Sequence, residues 1–246
     1  MKKTNETSDF DAVGLADAPA ARPTTLLRDA VGLADAPEAC TAAPSKAPRK
    51  PRGRPLSFDR DAALETAMHV FWERGYEAAS ISDLTSAMGI TPPSLYTAFG
   101  DKEQLFLEAI ERYALGYGSA GARALDEEPT ARGAIERWLL EAANELTQPC
   151  HPKGCMVVMA ATNCSAAAER VQDALLLRRT EAIANVGRRI QGGIDSGELP
   201  ADTDAKDLAN FYATIYQGMS MQAKDGATHE SLMATVRTAM RSWPRI

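Results

Sequence analysis

From about Leu56 onward, apolar residues recur at intervals of three and four along the chain, which predicts helices almost throughout. No alternating pattern of any length indicates a strand. In the second half we expect longer helices near residues 129–147, 152–164, 167–196, 203–225 and 228–242. The pattern therefore predicts an all-α protein.

The first helix is expected from about Phe58 to Arg74, with Ser57 as its cap and Gly75 at its end. A fourth helix follows Asp101, its expected cap. The inward stripe of the first helix is Leu64, Ala67, Met68 and Phe71. That of the fourth is Leu105, Phe106, Ala109, Ile110 and Tyr113.

Between these two helices, glycine and proline divide the chain into two short helices. Ser80 begins the second helix, and Asp83 is its partner in a capping box. Thr91 caps the third helix, whose first position is Pro92, where a missing N–H costs nothing. Two helices joined by a tight turn that contains glycine form a helix-turn-helix, so we expect a DNA-binding module.

The third helix has two different faces. Leu95, Ala98 and Phe99 lie together and can pack onto the first two helices. The opposite face carries no bulky charge and can enter the major groove, where thymine methyl groups and base-edge acceptors lie. Its members are Pro93, Tyr96, Thr97 and Gly100.

Phosphate contacts are predicted around this face. Thr91, Ser94 and the free N–H groups at the start of the third helix can receive a phosphate, and Ser80 can do the same for the second helix. Lys102 is a candidate phosphate clamp. Each has an ordinary alternative. Ser80 and Thr91 can serve solely as helix caps, Tyr96 can serve solely in packing, and Lys102 can be a solvated surface lysine.

The net charge of −6 hides a local excess of positive charge. Residues 46–60 carry six basic side chains against Asp59 alone, and phosphates respond to the local field. Within this stretch, Pro-Arg-Gly-Arg-Pro resembles an AT-hook core, in which Arg52 and Arg54 would enter a narrow minor groove. A solvated basic linker is the alternative.

The N-terminal segment is predicted to be a disordered tail, residues 1–50, in which DAVGLADAP occurs twice. A partner-binding peptide is the alternative for this repeat. We see no secretory signal and no membrane span, and four cysteines without framework spacing suit a reducing compartment, so cytoplasm is expected. After the tail we expect a basic arm at 51–56, a DNA-binding domain at 57–102 and an effector domain at 103–246.

Residues 53–113 resemble the DNA-binding domain of the TetR/AcrR family of bacterial transcriptional regulators. The motifs that carry the likeness are Phe-Trp-Glu-Arg-Gly-Tyr, Gly-Ile-Thr, Ser-Leu-Tyr-x-x-Phe and Asp-Lys-Glu-x-Leu-Phe. The resemblance implies that Pro92, Pro93, Tyr96 and Thr97 touch bases or backbone. It also implies that Ser80, Tyr96 and Lys102 hold phosphates. Because some members carry a hydrogen-bonding side chain where Pro92 stands, apolar readout of a thymine methyl is expected there.

The resemblance also implies a homodimer on double-stranded operator DNA, released by a small-molecule effector that binds among the middle helices, with no cofactor. The expected interface, on the last two helices, includes Leu208, Ile215, Met219, Met233, Val236 and Met240, although spacing alone also allows an internal core. The expected pocket lining is Trp138, Cys155, Met156, Met159, Phe211 and Tyr212, which suits an uncharged or weakly polar ligand.

Residues 150–155 are the remaining candidate chemistry. Cys150, His151, Cys155 and Cys164 match no strong zinc spacing, so no metal is expected. Lys153 and a helix start near Gly154 would favour a Cys155 thiolate, which makes a thiol switch one alternative and an inert buried cysteine another. A cysteine-dependent enzyme using His69, His151 or His229, and an architectural DNA binder acting through the basic arm, are further alternatives.

Overall fold

The computed structural model describes residues 58–160, residue 165 and residues 168–245. Within these residues every regular element is a helix, as the periodicity predicted. The helices are α1 (Arg60–Arg74), α2 (Ile81–Met88), α3 (Pro92–Phe99), α4 (Lys102–Leu115), α5 (Ser119–Glu127), α6 (Ala131–Glu145), α7 (Met156–Ala160), α8 (Glu169–Asp195), α9 (Ala205–Lys224) and α10 (His229–Ala239). A 3₁₀ turn, Met240–Ser242, follows α10.

The start of α1 differs from the prediction. Asp59 is its N-cap, and the carboxylate accepts hydrogen bonds from the N–H groups of Asp61 and Ala62. The predicted cap, Ser57, lies outside the described residues. Since an aspartate next to the first turn satisfies two free N–H groups at once, the helix begins at Arg60.

The predicted caps of the next three helices are confirmed. Ser80 and Asp83 form the reciprocal capping box of α2. The hydroxyl of Thr91 accepts from the Ser94 N–H at the start of α3, and Asp101 accepts from the Gln104 N–H at the start of α4. These contacts depend only on residues three apart, which is why the sequence indicated them.

The first four helices form a small core. Helix α1 packs against both α2 and α4, and the predicted stripes of α1 and α4 are buried. Leu95 and Phe99 anchor the short α3 to this core with 0% and 2% exposure. A helix of eight residues is too short to be stable alone, so α3 is stabilised by the packing of its inner face.

Helix α5 has no counterpart in the sequence prediction. Its glycine at 121 lowers helix propensity, but a β-carbon there would lie 2.7 Å from Cδ1 of Trp138 on α6. Gly121 therefore permits the close contact between α5 and α6. Tertiary packing, rather than helix propensity, stabilises α5.

The remaining helices fall near their predicted places, with α7 starting later than the predicted residue 152. It begins at Met156, because Pro152 and a left-handed Gly154 (φ 84°) hold the preceding loop out of helix. Helix α8 pairs mainly with α9, whereas α10 packs on α6 and α9. In the described part of the chain, no helix has both the length and the apolar character to cross a membrane.

Candidate nucleic-acid interface

The outer face of α3 is exposed. Thr91, Pro92, Pro93 and Thr97 all face solvent, and Tyr96 is 51% exposed. Leu95 and Phe99, on the other side, are buried in the core. A rigid helix thus presents proline rings, a phenol and a threonine to a partner molecule.

Most polar groups on this face are already engaged. The hydroxyl of Thr97 donates to the carbonyl oxygen of Pro93 over 2.8 Å. The hydroxyls of Thr91 and Ser94 lie 2.9 Å apart and bond to each other. Among the residues that the structure describes, the Tyr96 hydroxyl has no such partner. The face is therefore mainly apolar, with one free hydroxyl.

Ser80 stands beside this face and serves as a cap. Its hydroxyl donates to Asp83 over 2.6 Å, and its N–H donates to the same carboxylate. These two hydrogen bonds, together with Arg74, lower the pKa of Asp83 to about 2. The capping alternative accounts for Ser80 as the structure has it, and its phosphate contact stays a prediction.

Lys102 is held in place at the start of α4. Its ammonium lies 4.4 Å from the centre of the Tyr76 ring and donates to the carbonyl oxygen of Glu77 over 3.4 Å. Partial burial lowers the pKa of Lys102, while the charge of Glu77 opposes that shift. A lysine fixed beside the helix-turn-helix can meet a phosphate without first being ordered. Arg52 and Arg54, the other predicted basic contacts, lie outside the described residues.

The loop between α6 and α7 connects this module to the effector domain. The indole N–H of Trp72, on α1, donates to the carbonyl oxygen of Gly154 over 2.8 Å. The ring of His151 stacks on Trp72 with centroids 4.4 Å apart. We call this pair of contacts the α1–loop junction. Sequence reasoning missed it, because Trp72 was visible only as part of a family motif.

His151 is buried at this junction. Its Nδ1 lies 2.9 Å from the carbonyl oxygen of Pro152, and its Nε2 lies 2.9 Å from Oε1 of Glu145. The second contact is close but not aligned as a hydrogen bond, so it acts as an ion pair when the imidazole is charged. Within the described residues, Nδ1 is therefore hydrogen-bonded, whereas Nε2 faces a carboxylate without a hydrogen bond.

A second contact joins the two regions near the predicted phosphate sites. Glu77, in the turn after α1, accepts hydrogen bonds from the N–H and hydroxyl of Ser165, over 2.9 and 2.6 Å. The Ser165 hydroxyl is the largest cause of a lowered pKa of Glu77. Since Lys102 also bonds to Glu77, the effector domain touches a neighbour of a candidate phosphate clamp.

Cys155 lies inside the effector domain. It is a free cysteine with 4% exposure, and its N–H donates to the Ser220 hydroxyl over 2.8 Å. Its thiol contacts the hydroxyls of Tyr113 and Tyr216, and burial is the main cause that raises the pKa of both phenols.

Cys150 is disulfide-bonded. No three His, Cys, Asp or Glu side chains of the described residues are grouped as metal ligands.

The predicted pocket residues do not all meet. Trp138 stacks on Tyr216 at 5.3 Å, so it lies in the same interior region as Cys155. Met156 is buried and Met159 is partly buried. Phe211, however, is 39% exposed on α9, while its neighbour Tyr212 is buried against Trp243. The two rings meet edge to face with centroids 5.1 Å apart, so Phe211 lies at the surface end of this contact, and a shared pocket lining stays a prediction.

Two surface grooves are present elsewhere. One, of about 730 Å³, runs between α8 and α9, and the other, of about 300 Å³, lies between α4 and α8. None of the six predicted pocket residues lines either groove.

Three of the predicted interface residues belong to the core of the single chain. Met219, Val236 and Met240 have 1%, 1% and 4% exposure. Their apolar spacing reflects internal packing, because α10 covers α6 rather than lying free beside α9. Leu208, Ile215 and Met233 are partly buried against the same core.

Comparison with known proteins fits this geometry. Residues 63–109 match the family described as bacterial regulatory proteins, tetR family, and residues 132–240 match the tetracyclin repressor-like C-terminal domain. The chain belongs to the TetR family. It is 36% identical over 199 residues to the HTH-type transcriptional repressor ComR of Escherichia coli (strain K12), covering 80% of this chain and 95% of ComR. The repressor BdcR from the same organism is 28% identical over 200 residues, covering 76% and 90%.

A solved structure of a TetR family relative contains DNA. A cysteine mutant of the regulator CifR, complexed with 26-bp double-strand operator DNA, is 48% identical to this chain. The match has a TM-score of 0.75 and covers 78% of this chain and all of that one. This TetR family chain is therefore an all-helical DNA-binding regulator, with the helix-turn-helix at its N-terminal side and a helical C-terminal domain.

Proposed function

We propose that the protein is a homodimeric, ligand-responsive repressor that binds a palindromic operator and is released by a small molecule. The observation that carries this proposal is the outer face of α3, which is exposed and uncharged while its inner face is fixed in a core. Repression is favoured by the names of the relatives ComR and BdcR. The operator complex of CifR supports DNA as the partner.

We infer that α3 reads its operator mainly through thymine methyl groups. The helix contains no charged side chain and no amide, so it cannot make the bidentate contacts that usually select guanine or adenine. Three hydroxyls near its start and outer face are engaged with one another or with backbone. The exposed proline rings and the exposed Tyr96 ring are suited to apolar contact with methyl groups.

Replacing thymidine by deoxyuridine in the operator tests this readout. Duplexes selected from a random pool with the full-length protein would first define the operator. The replacement removes only the methyl group and leaves every hydrogen-bonding edge in place. Each contacted methyl should weaken binding about fourfold, since burial of one carbon of that size contributes about 0.8 kcal/mol. Measurement is by fluorescence anisotropy at fixed salt.

The control duplex carries deoxyuridine only in the flanks and should bind like the unmodified operator. In Pro92→Ala, deoxyuridine at the base pair that Pro92 contacts should weaken binding less than it does in the wild type. Unchanged affinity for the fully substituted operator would contradict readout through methyl groups but not the regulator. If no duplex were enriched from the pool, the regulator proposal itself would fail.

Dimerisation follows from the need for specificity. One short helix reads few base pairs, whereas two tied together read half-sites about one helical turn apart. The supporting surface is apolar side chains left exposed on α8 and α9, and it replaces the buried part of the predicted interface. Its members are Leu176, Phe211 and Met221, while the exposed Leu177 lines the groove between α4 and α8. Leu208 and Ile215, on α9, can contribute at its edge.

We propose that the effector acts on the interior around Cys155, Trp138 and Tyr216. A ligand that displaces the loop before Cys155 would move the α1–loop junction and hence α1. Release of DNA requires that the ligand bind the DNA-free arrangement more tightly than the bound one.

The alternatives have less support. A thiol switch at Cys155 remains a prediction, and a 4% exposed thiol hydrogen-bonded to two phenols is unlike the exposed, electropositive setting of reactive cysteines. An enzyme needs a base beside its nucleophile. His69 instead lies 3.3 Å from the Tyr117 hydroxyl, and His229 starts α10 at the surface. We therefore propose a regulator without catalytic activity.

A further inference from the structure

His151 and Glu145 form a buried pair at the α1–loop junction. The side chain of His151 is 1% exposed, and its Nε2 lies 2.9 Å from Oε1 of Glu145, on α6. Both of these atoms are buried, and neither makes a hydrogen bond within the described residues. On the other side of the ring, Nδ1 lies 2.9 Å from the carbonyl oxygen of Pro152. Each ring nitrogen of His151 therefore faces an oxygen.

The number of protons on the imidazole decides whether these two contacts are favourable. A carbonyl oxygen and an ionised carboxylate can only accept a hydrogen bond. A neutral imidazole carries one N–H, so one of its nitrogens would turn a lone pair towards an oxygen 2.9 Å away. The imidazolium carries an N–H at both nitrogens and places a positive charge beside Glu145. Two protons therefore suit this site better than one.

The second proton resides on the imidazole rather than on the carboxylate. Imidazole is the stronger base of the two in water. The side chain of Glu145 keeps 27% exposure, so water still stabilises its negative charge. The ring of Trp72 stacks on His151 with the planes inclined by 22°, and the face of an indole attracts a cation. These contacts offset the cost of burying the imidazolium.

The titratable groups that reach the ring from α1 and α4 already have partners. Tyr117, just after α4, meets the His151 ring edge to face at 5.0 Å, and burial raises the pKa of its phenol, so it stays neutral. Its hydroxyl lies 3.3 Å from both His69 and Glu65, and Glu65 is paired with Arg112. None of these groups is in ion-pair contact with His151.

The groups on α9 and in the loop also leave the pair to itself. Glu145 faces Tyr216 on α9, and burial raises the pKa of that phenol, so Tyr216 stays neutral too. Lys153, two residues after His151, is exposed to solvent. Within the described chain, Glu145 is thus the carboxylate in ion-pair contact with His151.

We propose that His151 and Glu145 form a proton switch at the α1–loop junction. With its second proton, His151 pairs with Glu145 and attracts the Trp72 ring, which ties the loop to both α6 and α1. Loss of that proton turns a lone pair towards an oxygen and makes the loop easier to displace. The consequence for DNA release rests on the ligand-responsive function proposed above.

The direction of the pH effect follows from where the proton is held. The folded protein holds a proton at this site that the unfolded chain releases where histidine ordinarily changes charge, between about pH 5 and pH 8. Stability falls with rising pH wherever the folded state binds more protons than the unfolded state. The contribution of the pair is therefore fully present at acidic pH and is lost as the pH rises.

Glu145→Gln in the full-length protein tests the proposal, because an amide N–H can satisfy a neutral imidazole without a second proton. The readout is the midpoint of thermal unfolding, measured from about pH 6 to about pH 9, which spans the upper part of the histidine range and extends beyond it. The midpoint of the wild type relative to that of Glu145→Gln should fall by about 3–6 °C over this range, as expected for loss of one charged contact in a chain of this length. His69→Gln is the matched control, since His69 lies 3.5 Å from Glu65 but is 31% exposed, and it should keep the wild-type pH dependence.

Imidazole nitrogen chemical shifts give a readout that a merely structural role would not move. Near neutral pH, His151 should have both nitrogens protonated in the wild type and one in Glu145→Gln. The chain has three histidines, so His69→Gln and His229→Gln assign the third signal. The wild-type spectrum is sufficient by itself if Glu145→Gln does not fold.

A neutral His151 in the wild type, or the same pH dependence of stability in wild type and Glu145→Gln, would overturn the proposal. So would loss of the pH dependence in His69→Gln. If the proton site behaved as expected but the protein selected no operator, the regulator proposal would fail and the switch would stand.

Discussion

Single glycines set how closely the helices of the effector domain approach one another. At Gly121 a β-carbon would lie 2.7 Å from the Trp138 ring, and at Gly193 it would lie 2.5 Å from Cβ of Ala131. Neither glycine has a positive φ, so the reason for it is space and not backbone conformation. Trp138 in turn stacks on Tyr216, which contacts Cys155. One missing side chain thus helps position the interior that we assign to the effector.

Gly121→Ala should destabilise the protein by about 1–3 kcal/mol, because the added methyl group collides with a buried aromatic ring. Denaturant unfolding monitored by circular dichroism measures the change. Gly192→Ala is the control, since Gly192 is exposed on α8 and its β-carbon would meet nothing closer than 4.0 Å. That substitution should stabilise by roughly 0.5–1 kcal/mol. Equal effects at the two positions would show that helix propensity, not packing, decides.

The loop from Leu146 to Cys155 is the element that joins the DNA-binding module to the effector domain. It receives the Trp72 indole N–H at Gly154 and stacks His151 on the same ring. Its other end donates from the Cys155 N–H to Ser220 on α9. A displacement of this loop would therefore change its contacts both with α1 and with α9, the helix that carries the proposed dimer surface.

Trp72→Phe should lower the free energy of unfolding by about 1–3 kcal/mol, because it leaves the buried carbonyl oxygen of Gly154 without its donor. We also expect the effector-induced change in operator affinity to become smaller, since the link to α1 is weakened. Titrating operator DNA with and without effector measures that change. Trp243→Phe, remote from the loop and packed on Tyr212, controls for general loss of packing. If the effector changed the operator affinity of Trp72→Phe as much as that of the wild type, the effector would act on α1 through other contacts.

At the scale of the whole molecule, the apolar residues left outside the core are the surface through which we propose that two chains meet. Phe211 and Met221 on α9 and Leu176 on α8 remain exposed although the same helices bury apolar side chains internally. Exposed apolar side chains grouped on neighbouring elements mark interaction sites in soluble proteins. The proposed dimer would cover them and fix the separation of the two α3 helices.

Phe211→Asp should convert the dimer to a monomer and reduce operator affinity, because the desolvated contact would then bury a charge. Sedimentation velocity and anisotropy measure the two effects. Folding should change by no more than about 0.5 kcal/mol, as expected for an exposed position. Leu115→Asp is the control, because Leu115 is 80% exposed at the end of α4 and lies outside the proposed interface. If Phe211→Asp remained dimeric, the interface would have to lie on another surface.

The sequence by itself determined where most helices begin and end, and which face of α3 is free. Ser80, Thr91 and Asp101 act as the predicted caps because a cap depends only on residues two or three positions away. The inner stripe of α3 could be assigned for the same reason, since its periodicity lies within one short helix. Local chemistry was sufficient to indicate the helix-turn-helix and, through its motifs, the family.

Only the tertiary structure decided which apolar residues form core and which are left for a partner. Met219 and Phe211 are both apolar residues of α9, yet Met219 is 1% exposed and Phe211 is 39% exposed. The contact of Trp72 with Gly154 and that of Glu77 with Ser165 were equally hidden. Each depends on groups brought together from distant parts of the chain, and no local pattern encodes such a meeting.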